Sequence, residues 1–166
     1  MYKNILHLYK QFGFKKAIEM LDGVFSCILI DGDNIHVARD PIGVRPLFIG
    51  KRNEDIMFSS EMKSIQVLAD SVEQFPPGCI WNNNDKEYVK YYVPSLIYNQ
   101  NKHSSEVIIL QTISDLFISA VDKRLMSERP IGCMLSGGLD SSLVAALLVR
   151  NIKGLRTFSI GLKGAS

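Results

Sequence analysis

The sequence predicts an α/β protein in two unlike blocks, an α+β block with antiparallel sheet and then the start of a parallel α/β block. Three observations carry this. Helical periodicity over the first twenty residues gives way to short strand-like runs separated by turn residues. A polar stretch without periodicity interrupts the chain near residue 100. Beyond it the pattern becomes helix, strand, glycine-rich loop, helix, strand.

In order along the chain, Ile5, Leu6, Leu8, Tyr9 and Phe12 recur at three- and four-residue spacing, and Ala17, Ile18 and Leu21 resume after Gly13, so two short helices should meet there. Val24 to Ile30 suits a buried strand, and Asp31-Gly32-Asp33-Asn34 supplies turn chemistry before a second strand, Ile35 to Ala38. Pro41 and Gly43 mark a turn. Strands are expected at Pro46 to Ile49 and Ile56 to Ser59 around the charged turn Lys51 to Asp55, with a short helix from Glu61 to Leu68. Pro76-Pro77-Gly78 forces a turn, and Asn82-Asn83-Asn84-Asp85 joins strands at Cys79 to Trp81 and Tyr88 to Tyr92.

The domain boundary is placed at a linker, residues 96–103, between blocks 1–95 and 104–166. Ser104 or Ser105 caps a helix whose broad apolar stripe includes Val107, Ile108, Leu110, Ile113, Leu116, Phe117, Ala120 and Val121. A strand follows at Ile131 to Leu135, then a loop, Ser136 to Ser141, a helix, Ser142 to Arg150, and a second strand, Thr157 to Leu162. One such unit cannot complete a stable sheet, so the second block is expected to be cut short.

Composition excludes several classes. With 19 basic and 17 acidic residues the formal net charge is +2, so no nucleic-acid partner is implied. The apolar runs are too short to span a bilayer and no signal peptide opens the chain, which points to a soluble, cytoplasmic protein. Cys27, Cys79 and Cys133 lie far apart without a CxxC pair or a nearby histidine, as buried reduced thiols do.

The loop carries the chemistry. Gly137 and Gly138 permit close approach of a ligand to the backbone. The amides opening the next helix, with the positive end of its dipole, suit a phosphate or pyrophosphate. Ser136, Ser141 and Ser142 add hydroxyl donors. Asp140 would repel phosphates unless Mg²⁺ bridges them; alternatively it only favours the helix dipole. Neither GxxxxGK[ST] nor GxGxxG is present, and a ligand-free tight turn is the bland alternative for Gly-Gly.

These residues resemble a known family. "SGGLDSS", Ser136 to Ser142, looks like the pyrophosphate loop of the adenylating ATP pyrophosphatases. "RPIGCML" before it and "LVAALL" after it resemble glutamine-hydrolysing asparagine synthetases. "LDGVFSCILID", "ARDPIGVRPLF", "SSEMKSI" and "FPPG" resemble the later half of that family's glutaminase domain.

The resemblance implies an N-terminal-nucleophile-type (type 2) glutaminase remnant followed by the start of an adenine-nucleotide-hydrolase-like synthetase domain. Its reaction takes ATP, aspartate and glutamine through β-aspartyl-AMP to asparagine, glutamate, AMP and pyrophosphate. By resemblance, Ser136, Gly137, Gly138, Asp140, Ser141 and Ser142 surround pyrophosphate and Mg²⁺, with Asp140 on the metal. Met134 and Ile160 match adenine contacts, although core packing explains those residue types equally well.

The family's glutaminase nucleophile is a cysteine following the initiator methionine, whereas Tyr2 follows Met1 here. The chain is therefore expected to lack glutaminase activity, to make little or no asparagine alone, and to represent an internal fragment. Exposed apolar surface should favour complementary chain segments or a homodimer. A β-lactam-synthetase-like relative and a noncatalytic ATP- or pyrophosphate-binding remnant are the alternatives. Arg39, Asp40, Arg45, Glu61 and Lys63 sit at turns that face the partner domain in the family; surface ion pairs are the alternative, favoured for Glu61 and Lys63.

Overall fold

The structure is a computed structural model that describes residues 2–94 and 105–162. The chain divides into two compact units, Met1–Ile97 and Tyr98–Ser166. The linker expected at 96–103 and the cap expected at Ser104 lie outside the described residues.

The first unit opens with α1 (Tyr2–Phe12) and α2 (Phe14–Glu19). Between them Gly13 takes φ +78°, a conformation that favours glycine, and its amide donates to the Tyr9 carbonyl at 2.8 Å. The strands β1 (Ser26–Asp31) and β2 (Asn34–Arg39) form the expected hairpin. Asp31 pairs with Asn34, so the turn itself is only Gly32-Asp33.

Next come β3 (Phe48–Arg52), β4 (Asp55–Ser59), α3 (Met62–Ile65), β5 (Ser71–Gln74), β6 (Cys79–Asn82) and β7 (Tyr88–Lys90). One antiparallel sheet has the order β1-β2-β6-β7 and a second has β4-β3-β5.

Alternation along β2 sets the layers. Ala38 packs with Leu29, Phe25, Ile5, Phe14 and Ile18, against the two helices. Its neighbour Val37 turns the other way, to Cys79, Trp81, Leu47 and Phe75, with Ile56 and Phe58 of the second sheet beside them. The first sheet is therefore covered on one face by α1 and α2 and on the other by the second sheet.

Four expectations are corrected here. The third strand begins at Phe48 and not at Pro46, because Pro46 cannot donate to a ladder and Arg45 belongs to a tightly held loop. It then runs on to Arg52, leaving a turn of Asn53-Glu54 with Asn53 at φ +50°. The helix expected at Glu61 to Leu68 shrinks to the single turn α3, and only Ile65 of it is buried. An unforeseen strand, β5, pairs with β3 from Phe48↔Gln74 to Lys51↔Ser71; its single apolar residue, Val72, gave no alternating signal.

The second unit contains α4 (Glu106–Asp122), a 3₁₀ turn (Lys123–Leu125), β8 (Gly132–Met134), α5 (Leu139–Asn151) and β9 (Arg156–Phe158). β8 and β9 pair in parallel, Gly132↔Arg156 to Met134↔Phe158, as the crossover pattern requires. Ser105 caps α4 with extended backbone but without a side-chain bond.

Val121, Cys133, Leu147 and Leu148 form the core, with Ile118, Leu125 and Val144 packed against it. The apolar stripe of α4 is less buried than its breadth suggests: Val107, Leu110, Ile113 and Leu116 are all exposed. Two three-residue strands offer too little surface to cover a seventeen-residue helix. Expected exposure of apolar surface is thus present.

Candidate functional site

The sequence-predicted site residues all lie in the second unit, around the exit of β8. The helix starts three residues earlier than expected, so Leu139, Asp140 and Ser141 form its first turn and the true loop is Leu135 to Gly138. β9 likewise stops at Phe158, leaving Ile160 beyond the strand instead of within it.

The two glycines are not equivalent. Gly137 has φ +85°, which side-chain-bearing residues adopt only with strain, and a Cβ added there would meet nothing within 4 Å. Gly138 is the helix N-cap at φ −77° and ψ 165°, ordinary extended backbone. Only Gly137 needs to be glycine for its backbone.

The three serines converge. Ser136 Oγ and Ser141 Oγ are 3.0 Å apart. The Ser141 and Ser142 hydroxyls donate to the Gly138 carbonyl at 3.1 and 2.8 Å, and the Gly138 amide reaches Ser136 Oγ at 3.4 Å. The amide of Ser142 also closes the first turn on Gly138. Among the described residues, the amides of Leu139, Asp140 and Ser141 have no acceptor. The hydroxyl cluster and the three amides together are a donor-rich mouth.

Asp140 is exposed, and its carboxylate has no hydrogen-bond or ion-pair partner among the described residues. Among the described residues, no three His, Cys, Asp or Glu side chains gather there to make an all-protein metal cage. One free carboxylate beside hydroxyls fits Mg²⁺, which takes one or two protein carboxylates and completes its shell from phosphate oxygens and water. Met134 is 69% exposed at the end of β8 and Ile160 is 96% exposed, so neither is a core residue within this unit.

One contributor was not legible in the sequence. Ser159, directly after β9, donates its hydroxyl to the Leu135 carbonyl at 2.6 Å. Nothing in the run "FSIGL" marks that serine as different from an ordinary strand-end polar residue.

In the first unit, Arg39 and Asp40 are 2% and 1% exposed, so they are not surface ion-pair residues. The Arg39 guanidinium donates to the carbonyls of Arg45, Gly43 and Phe75 at 2.8, 2.8 and 2.6 Å. Asp40 Oδ1 accepts from the amides of Ile42, Gly43 and Val44, and Oδ2 from that of Arg45. Burial opposes charge on Asp40, but those four donors together hold its carboxyl below the usual value. Lys63 and Glu61 form the expected exposed pair, at 3.5 Å.

The cysteines are free, with Cys79 and Cys133 buried and Cys27 half-buried. Burial pushes the Cys27 thiol up to about 11, against a weaker opposing backbone hydrogen bond at Ala38. Burial also raises Cys79, with nearby Lys90 acting the other way. Neither thiol is tuned as a nucleophile at neutral pH. No helix among the described residues is long and apolar enough to cross a membrane.

Comparison with known proteins gives matches within both units. A family model described as "Glutamine amidotransferase domain" matches residues 2–67, and one described as "Asparagine synthase" matches residues 112–166. A probable glutamine-hydrolysing asparagine synthetase of Dictyostelium discoideum is 39% identical over 97% of this chain and 32% of its own length. The Schizosaccharomyces pombe counterpart is 38% identical over 91% of this chain and 28% of its own length. A nodule asparagine synthetase of Pisum sativum is 37% identical over 97% and 29%. The chain thus spans about a third of the length of the curated relatives it matches.

Among solved structures, glutamine phosphoribosylpyrophosphate amidotransferase from B. subtilis, complexed with ADP and GMP, aligns with TM-score 0.50 and 20% identity. The alignment covers 96% of this chain and 39% of that one, and likeness at this level concerns the fold alone.

Proposed function

The chain belongs to the glutamine-hydrolysing asparagine synthetase family, and from that membership we propose that its second unit grips the pyrophosphate of ATP during adenylation of aspartate. Residues 1–95 then serve as part of the type 2 glutamine amidotransferase domain, of the N-terminal-nucleophile type. Residues 104–166 serve as the start of the ATP pyrophosphatase domain, of the adenine-nucleotide-hydrolase type, with 96–103 as linker. The reaction served is ATP, aspartate and glutamine to asparagine, glutamate, AMP and pyrophosphate, through β-aspartyl-AMP, in the cytoplasm.

The observation that carries the proposal is the mouth of α5. The left-handed Gly137 bends the chain from a parallel strand into a helix, and three serine hydroxyls and three unpaired amides meet there. In the proposed complex the amides of Leu139, Asp140 and Ser141 take phosphate oxygens. The hydroxyls of Ser136, Ser141 and Ser142 rotate from their present partners toward the anion. Met134 and Ile160 present apolar, exposed side chains to the base. Asp140 supplies the protein ligand to Mg²⁺, whose contribution when bound is to neutralise the pyrophosphate leaving group. Glutamine hydrolysis is assigned to none of Cys27, Cys79 and Cys133, because two are held protonated by burial and the third is buried.

Isothermal titration of the full chain with Mg-pyrophosphate, Mg-ATP and AMP tests the proposal. The magnesium complexes should bind more tightly than AMP, and Asp140→Ala should remove the magnesium-dependent part. No binding by the wild type, or an Asp140→Ala chain that gains as much from magnesium as the wild type does, overturns it. ATP–pyrophosphate exchange with aspartate, run with and without the complementary segments of the relatives' sequence, then separates synthesis from noncatalytic binding.

A further inference from the structure

The loop between β8 and α5 has almost nothing to rest on. A side chain at Gly137 would find no neighbour, and one at Gly138 would meet only Ser136 Oγ, at 3.6 Å. Loop position therefore depends on its two ends. The helical end is tied by Ser141, Ser142 and the Ser142 amide, all on the Gly138 carbonyl. The strand end has a different arrangement.

The parallel ladder runs from Gly132↔Arg156 to Met134↔Phe158 and gains one more rung where the Leu135 amide donates to the Phe158 carbonyl at 2.8 Å. The Leu135 carbonyl then receives a side chain, the Ser159 hydroxyl at 2.6 Å, where the next rung would need a backbone amide. Ser159 lets β9 leave the sheet while β8 stays held for one residue more. Because the Leu135–Ser136 peptide is planar, fixing that carbonyl also fixes the direction in which Ser136 departs. Ser136 carries the Oγ that meets both Ser141 and the Gly138 amide.

We infer that Ser159 is a positioning residue for the phosphate loop, acting through the Leu135 carbonyl to hold Ser136 and Gly137 in place for the anion. The inference rests on the pyrophosphate-binding role proposed above. Ser159 itself need touch no ligand. Since it is exposed and outside the core cluster, its hydroxyl contributes to the set of the loop more than to the stability of the unit.

The test titrates Mg-pyrophosphate into the wild-type, Ser159→Ala and Ser159→Thr chains, with thermal unfolding followed in parallel. Loss of one neutral hydrogen bond should weaken binding by about three- to tenfold in Ser159→Ala. The melting temperature should stay unchanged, and Ser159→Thr, which keeps the hydroxyl, should restore affinity. The amide resonances of Ser136 and Gly137 should broaden or shift in the Ala chain alone. If Ser159→Ala proves unstable, the threonine chain decides: full affinity with unshifted loop resonances supports the inference, and lost affinity in a folded Thr chain overturns it. A wild type that binds, beside a folded Ser159→Ala chain that binds equally well, overturns the inference and leaves the loop's role intact. A wild type that takes up no Mg-pyrophosphate overturns both.

Discussion

Replacing Asp40 by alanine should destabilise the first unit by about 2–4 kcal/mol. The carboxylate accepts four backbone amides, at 3.1, 2.7, 3.0 and 3.0 Å from Ile42, Gly43, Val44 and Arg45. Each hydrogen bond to a charged group is worth roughly 1.5–3 kcal/mol net, so independent bonds would sum to far more. They are not independent. Ile42, Val44 and Arg45 are exposed, and their amides regain water once the loop opens. The half-buried Gly43 amide keeps the Asp40 main-chain carbonyl as a second acceptor at 3.1 Å, and Arg39 keeps its carbonyls, which brings the cost to that of one or two charge-assisted bonds.

The assay is urea unfolding followed by Trp81 fluorescence. Trp81 is the chain's single tryptophan, 4% exposed on β6, and reports the first unit. The pH dependence has a definite sign. The Asp40 carboxyl is lowered from 3.8, so its contribution is fully present above that value and is lost as pH falls through the lower folded value. The gap between wild type and Asp40→Ala should therefore be constant from pH 7 to 5 and close only below about pH 4. A loss under about 0.5 kcal/mol at pH 7 refutes the account of the loop.

Two further outcomes follow from the geometry. Gly137→Ala should cost about 1–2 kcal/mol in backbone strain and weaken Mg-pyrophosphate binding, whereas Gly138→Ala should do distinctly less, because its φ of −77° is open to any residue. Equal losses of affinity by titration calorimetry would contradict that distinction. In the folded chain, iodoacetamide at pH 8 should modify Cys27 about a hundredfold more slowly than an ordinary thiol, with the rate still rising above pH 9, because its pKa lies about 11 against 9.0. Mass spectrometry of the Cys27 peptide checks this; labelling at an ordinary rate would show that burial does not hold the proton.

Legibility in the sequence followed the strength of local signals. The β1–β2 hairpin is legible because a glycine turn sits between two apolar runs, and the loop from β8 into α5 because glycines, hydroxyls and an aspartate coincide between strand and helix. β5 could not, since Ser71, Glu73 and Gln74 are polar and only pairing with β3 makes them a strand. The start of α5 is hidden because Leu139-Asp140-Ser141 reads equally as loop, and helix ends are decided by capping geometry that composition does not contain. Arg39 and Asp40 look like surface charges in any one-dimensional view. Their burial depends on carbonyls and amides brought from Phe75 and the following loop, a tertiary fact. The role of Ser159 is illegible for the same reason, its partner being 24 residues away.

The back-to-back burial of Val37 and Ala38 leaves β2 no freedom to slide, because a shift by one position would exchange the contents of two separate interiors at once. The two-residue bend before it offers a nucleus cheap in chain entropy, so the hairpin is suited to assemble early. The Arg39–Asp40 clasp, which must wait for Phe75 to arrive, would then close as a late latch on an already committed topology.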